Sequence, residues 1–103
     1  MVLWVDDVRE APWYAVHAKS VNEAKNIITG WERESLNSPD ELVIDMDHDA
    51  GDYAKDGGDY IKLLDWLEET GRNYAIRIHS MNPVGVENMR RIIARNGWKE
   101  IMQ

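Results

Sequence analysis

Leu42-Val43-Ile44-Asp45-Met46-Asp47-His48-Asp49-Ala50-Gly51-Asp52 decides how the chain is read. It begins as an apolar run and ends with Asp45, Asp47, Asp49 and Asp52 gathered around the imidazole of His48. This pattern predicts a strand over Glu41–Asp47 that delivers charge at its end. Carboxylates this close repel one another unless something positive lies between them. Their hard oxygen atoms suit Mg²⁺ or another divalent cation. The plainer alternative is an acidic, solvated loop. An EF-hand loop starting at Asp45 is disfavoured, because Ala50 stands where that loop needs glycine and Asp56 where it needs glutamate.

On the N-terminal side, Val2–Val5 is a continuous apolar run, as in a central parallel strand, and it ends at Asp6-Asp7 with Arg9 close behind. Residues 8–13, with Pro12, read as a loop, and Tyr14–Ala18 as a second strand holding His17 as a packed or edge histidine. Ser20-Val21-Asn22-Glu23 is a capping box. Val21, Ala24, Ile27, Ile28 and Trp31 then predict a helix from about 21 to 33, followed by a linking turn over Leu36–Asp40.

On the C-terminal side, residues 52–58 read as a flexible loop that covers a site. Asp59 is the expected N-cap of a helix carried by Tyr60, Leu63, Leu64 and Leu67 and stopped at Gly71. Ala75–Ser80 alternates as a fourth strand that delivers His79 and Ser80. Asn82 caps a third helix, with Pro83 in its first turn and Gly97 at its end. Arg90, Arg91 and Arg95 fall on the solvated face of that helix, and Trp98–Met102 is a candidate fifth strand.

Strands separated by helices of this length argue for parallel pairing with right-handed crossovers. The expected architecture is a single α/β domain over 1–103, a trimmed doubly wound three-layer fold. It has a mostly parallel sheet of four to five strands and about three helices. The length suits one domain. Without cysteine there is no disulfide framework and no thiolate metal site. Nothing resembles a membrane span or a secretory leader, so cytoplasm is the default expectation. A net charge of −7 argues against a long nucleic-acid duplex as partner, while leaving room for one nucleotide or an RNA end. The presence of five Trp and no Phe has no physical account beyond Trp filling aromatic core positions. Oligomeric state is not legible.

Three strand ends carry polar groups: Asp6-Asp7 with Arg9, Asp47-His48-Asp49, and His79-Ser80 with Asn82. At the carboxyl edge of an open α/β sheet these would lie side by side, where ligands bind. Paired aspartates from one strand and one from its neighbour can hold Mg²⁺, and Ser80 with the helix N-terminus after Asn82-Pro83 can receive a phosphate. Arg9 adds a bidentate donor.

This set resembles the receiver domain of two-component signalling, a flavodoxin-like fold with an acidic pair after strand 1, a phosphoacceptor Asp after strand 3 and Ser or Thr after strand 4. Two departures stand out: no clear Lys follows a fifth strand, and the first helix is missing. Asp6-Asp7-Val8-Arg9, Asp47-His48-Asp49-Ala50-Gly51, Tyr60 to Glu68, and His79-Ser80-Met81-Asn82-Pro83-Val84-Gly85 with Asn88-Met89 resemble more closely the cyclic-phosphate-processing receiver domains. Ala50 stands where that family tends to carry Leu.

The resemblance implies a metal-dependent phosphoesterase, a hydrolase acting on a cyclic nucleotide or on RNA 2′,3′-cyclic phosphate ends, as in RNA repair. Asp6, Asp7, Asp47 and Asp49 would serve Mg²⁺, with Asp49 behind the other three. His48 and His79 would be acid and base beside Asp47, and Arg9, Ser80 and Asn82 would hold the phosphate. The alternative is a response-regulator-like signalling or nucleotide-binding module with Asp47 as phosphoacceptor.

Overall fold

The computed structural model describes residues 1–34 and 37–102; Leu36, at the start of the expected linking turn, lies outside them. The elements in order are β1 (Val2–Val5), β2 (Ala15–Ala18), α1 (Val21–Glu32), β3 (Val43–Met46), α2 (Ile61–Glu69), β4 (Ala75–Ile78) and α3 (Pro83–Asn96). Short 3-10 turns at Pro39–Glu41 and Gly51–Lys55 flank β3. All pairings are parallel, in the order β2-β1-β3-β4, which is the start of the flavodoxin-like order. The fold is a receiver-like α/β domain with four strands and three helices.

Alternation along the strands divides the sheet into two faces. Leu3, Val5, Ala18, Ile44, Met46, Ile76 and Ile78 are buried toward the helices. Their neighbours form a row across the other face: His17 beside Trp4, Trp4 beside Asp45, Asp45 beside Arg77. The crossovers β2–α1–β3 and β3–α2–β4 step in the same direction, so right-handed connections put both helices on one face. There α1 packs on α2 and α2 on α3. The second face carries a loop instead of a helix: the Trp4 indole donates to the carbonyl of Arg9, 3.1 Å away.

Local sequence accounts for most boundaries. Ser20 Oγ accepts from Glu23 N (3.0 Å), and the Glu23 carboxylate reaches one residue beyond the cap to Lys19 N (2.8 Å). Asn82 Oδ1 accepts from Gly85 N (3.0 Å), and Gly97 closes α3 with φ +69°. Two elements differ from expectation. Asp59 does not cap α2, which starts at Ile61 after Tyr60; its carboxylate accepts instead from Ala50 N at 3.0 Å, a donor the acidic turn would otherwise strand. The fifth strand reduces to one parallel bridge, Ile76 to Glu100. The arginines of α3 pair with acids: Arg90 with Glu100, Arg91 with Glu87, Arg95 with Glu68. Among the described residues no helix is long and apolar enough to cross a membrane.

Candidate functional site

The ladder itself assembles the site. Each strand continues its pairing by one residue: Asp6 N donates to Ala18 O (3.2 Å), Asp47 N to Val5 O (2.9 Å), and His79 N to Met46 O (2.9 Å). Backbone bonding therefore fixes Asp6, Asp47 and His79 side by side at the carboxyl edge.

Asp6 is fully buried. Its Oδ1 accepts from Val8 N and Arg9 N, both at 3.0 Å, and its Oδ2 lies 2.9 Å from His79 Nε2. Burial pushes its carboxyl up, but the Arg9 and Val8 amides and the His79 contact outweigh that and hold it below the ordinary value. The other ring nitrogen of His79, Nδ1, lies 2.6 Å from Asp45 Oδ1. The ring itself stacks on Trp4, centroids 3.9 Å apart and planes 8° off parallel. Asp45 and His79 are buried, so a continuous chain Asp45–His79–Asp6 runs beneath the rim. Its two hydrogen bonds need two protons shared among the three groups.

Above this chain, ligand oxygens of Asp6, Asp7 and Asp47 lie within 4.8 Å of one another. Among the described residues neither Asp7 nor Asp47 has an ion-pair partner. Three carboxylates converging without a cationic side chain between Asp7 and Asp47 are the donor set of a hard divalent cation, so these residues fit one. Gly51, at φ +55°, brings its backbone against Asp7; a Cβ there would collide with the carboxylate. Tyr60 lies fully buried beneath the site, and its hydroxyl donates to Lys19 O at 2.7 Å. Burial, with the Asp7, Asp6 and Asp47 charges, pushes that hydroxyl well above the usual tyrosine range.

His48 occupies the next position along the edge. Its amide donates to Asp47 Oδ1 (2.7 Å), and its Nδ1 lies 2.8 Å from Asp49 Oδ1. That contact favours the Nδ1–H tautomer, with Nε2 left as the lone-pair nitrogen. Asn82 Nδ2 lies 3.4 Å from the same carboxylate. Gly85, in the first turn of α3, lets the ring approach: a Cβ there would stand 2.5 Å from His48 Cγ. Ser80 Oγ accepts from Asn82 N at 3.2 Å.

The residues named from sequence thus separate into groups. Asp6, Asp7 and Asp47 converge, while Asp49 turns its carboxylate to His48 and stays exposed. His48, Ser80 and Asn82 stand at the rim. His79 lies below it, with both nitrogens on carboxylates. Arg9 is exposed at the mouth of a groove it shares with Ser80 and Arg90. Sequence reasoning counted Asp45 in the acidic cluster without finding its contact with His79, and it missed Trp4. The signal was parity: Asp45 alternates in step with Asp47, and Trp4 with Asp6. His17, read as packed or edge, donates through Nε2 to the carbonyl oxygen of Asp6 at 2.8 Å.

No curated protein and no solved structure matches the chain. A family model described as the cyclic-phosphate processing receiver domain matches residues 1–95, a span that runs from β1 to the last turn of α3 and takes in all three strand ends. The chain belongs to the family of cyclic-phosphate processing receiver domains.

Proposed function

We propose that this domain is a divalent-cation-assisted phosphoesterase that opens a cyclic phosphate. The observation that carries the reading is the convergence of Asp6, Asp7 and Asp47 beside an imidazole whose Nε2 is free of protein partners among the described residues. Asp6, Asp7 and Asp47 would hold the ion, Mg²⁺ being the hard cation of choice. When bound, such an ion draws charge from the phosphoryl oxygens.

The chain's own groups do the rest. Ser80, Asn82 and the first free amide of α3 receive the phosphate, as helix N-termini do. In ring opening, water adds to phosphorus, one ester P–O bond breaks, and the departing oxygen takes up a proton. His48 moves a proton at Nε2 in that exchange, with Asp49 fixing its ring and tautomer. His79 is better suited to holding Asp6 than to meeting substrate, since burial and two carboxylates occupy it. Acid–base work therefore falls to His48.

The receiver-type alternative, phosphoryl transfer to Asp47, lacks its usual lysine. Lys99 lines a groove with Pro39, Gly71 and Asn73, at the opposite edge of the sheet from Asp47. The deciding experiment is release of a phosphomonoester from a nucleoside 2′,3′-cyclic phosphate, with Mg²⁺ or with EDTA, by wild type and His48→Ala. Mg²⁺-dependent release that His48→Ala abolishes is expected. Full activity in the variant, or no release by wild type, overturns the assignment.

A further inference from the structure

Beside the carboxylate cluster lies a groove of about 340 Å³, lined in part by Arg9, Ser80, Met81 and Arg90. It adjoins a second groove of about 560 Å³ that shares Ser80, Met81 and Arg90 and continues along Val86. Both volumes are of the size that takes a small ligand. In a chain of net charge −7 the first groove carries two arginines against one carboxylate, Glu100. Arg9 is exposed and makes no ion pair among the described residues. Arg90 is tied to Glu100 through Nε alone, 2.8 Å, which leaves its Nη groups without partners among the described residues. Met81, which lines both grooves, is 84% exposed, an apolar, adaptable side chain.

The reacting phosphate has donors enough in Ser80, Asn82 and the start of α3. Two guanidinium groups that line one groove with an exposed thioether address something else: an anion joined to an apolar body. We infer that this groove binds the nucleoside of the substrate together with a second phosphoryl group on its 5′ side. The preferred substrate class is therefore a nucleoside cyclic phosphate that carries a 5′ phosphate or a 5′ phosphodiester, not the bare nucleoside cyclic phosphate. Arg9 and Arg90 take the second phosphoryl group, and Met81 lies against the base. This inference rests on the cyclic-phosphate reading above.

The test compares adenosine 2′,3′-cyclic phosphate, its 5′-phosphorylated form, and a dinucleotide ending in the same cyclic phosphate. Dissociation constants come from calorimetry with Mg²⁺, and kcat/KM from monoester release, for wild type, Arg9→Gln, Arg90→Gln and Met81→Ser. The second phosphoryl group should tighten binding about tenfold in wild type, the scale of one charge-assisted contact. Either arginine variant should erase that ratio, and Met81→Ser should weaken all three ligands while preserving it. A gain with the dinucleotide alone assigns the groove to RNA ends; a gain with both assigns it to any 5′ phosphoryl group. Equal dissociation constants for all three ligands in wild type overturn the inference, whether or not turnover occurs. Turnover of none, with the binding ratio intact, overturns the hydrolytic reading and leaves the groove standing.

Discussion

Replacing Asp45 with asparagine asks whether the buried chain beneath the rim is what holds Asp6 in place. The side chain keeps its shape, so no cavity opens; what goes is one charge, and with it the charge-assisted strength of the 2.6 Å contact to His79 Nδ1. Both partners are almost wholly buried, with side chains 5% and 6% exposed, so solvent screens the pair little. A buried hydrogen bond to a charged group is worth about 1.5–3 kcal/mol, and stripping a buried ion of its partner costs about 3–5 kcal/mol. Asparagine can still accept a neutral bond from His79, which places the expected loss near the lower figure, about 2 kcal/mol. In a domain of this length that lowers the melting temperature by roughly 10 °C, read by circular dichroism in EDTA.

The second readout is the cation. Loosening a partner that orients a metal ligand typically weakens binding about 10- to 100-fold, so Mn²⁺ titration should show a drop of at least tenfold. Asp52→Asn, which removes an equal charge from an exposed turn, controls for long-range attraction and should shift affinity far less. In a double-mutant cycle, Asp45→Asn and His79→Gln should couple by at least about 1 kcal/mol. Additive effects, or a variant that melts with wild type and titrates equally, would refute the chain.

Two other expectations rest on single contacts. Gly85→Ala adds a methyl group 2.5 Å from His48 Cγ, so monoester release should fall by about tenfold or more through a displaced imidazole. The melting temperature, supported by the better helix propensity of alanine, should change little; unchanged turnover would show that His48 does not need that position. The acid limb of stability should depend on Asp6. Its carboxyl is held below its ordinary 3.8, so the stability it contributes is fully present above that value and is lost as pH falls through the lower folded-state value. Urea unfolding in EDTA from about pH 5 down to about pH 2 should show a steeper decline for wild type than for Asp6→Asn; parallel curves would contradict this.

Strand ends were legible because each apolar run stops at a charged residue, and the caps at Ser20 and Asn82 because their partners lie three residues away in sequence. What stayed hidden depended on neighbours distant in the chain. Asp59 looks like a cap for the helix that follows, yet the Ala50 amide claims its carboxylate. Asp45 looks like a flaw in an apolar strand until His79, 34 residues later, arrives at its side. The placement of α1 and α2 on one face follows from the strand order, and no local pattern encodes that order.

The polar row on the second face raises a question that stability alone does not answer. Asp45 and His79 are buried, His79 stacked on Trp4, and replacing a buried ionic pair by apolar side chains of similar volume is often neutral or stabilising. A chain selected only to fold has little reason to keep them. What they add is orientation: with Oδ1 of Asp6 fixed by two amides and Oδ2 by His79, the carboxylate cannot rotate, and the unused lone pair of Oδ2 is the one it can offer toward Asp7 and Asp47. The missing helical layer fits the same account, because a sheet face that carries a buried polar chain needs a loop to close over it, such as the one the Arg9 carbonyl anchors to Trp4, more than it needs another apolar helix.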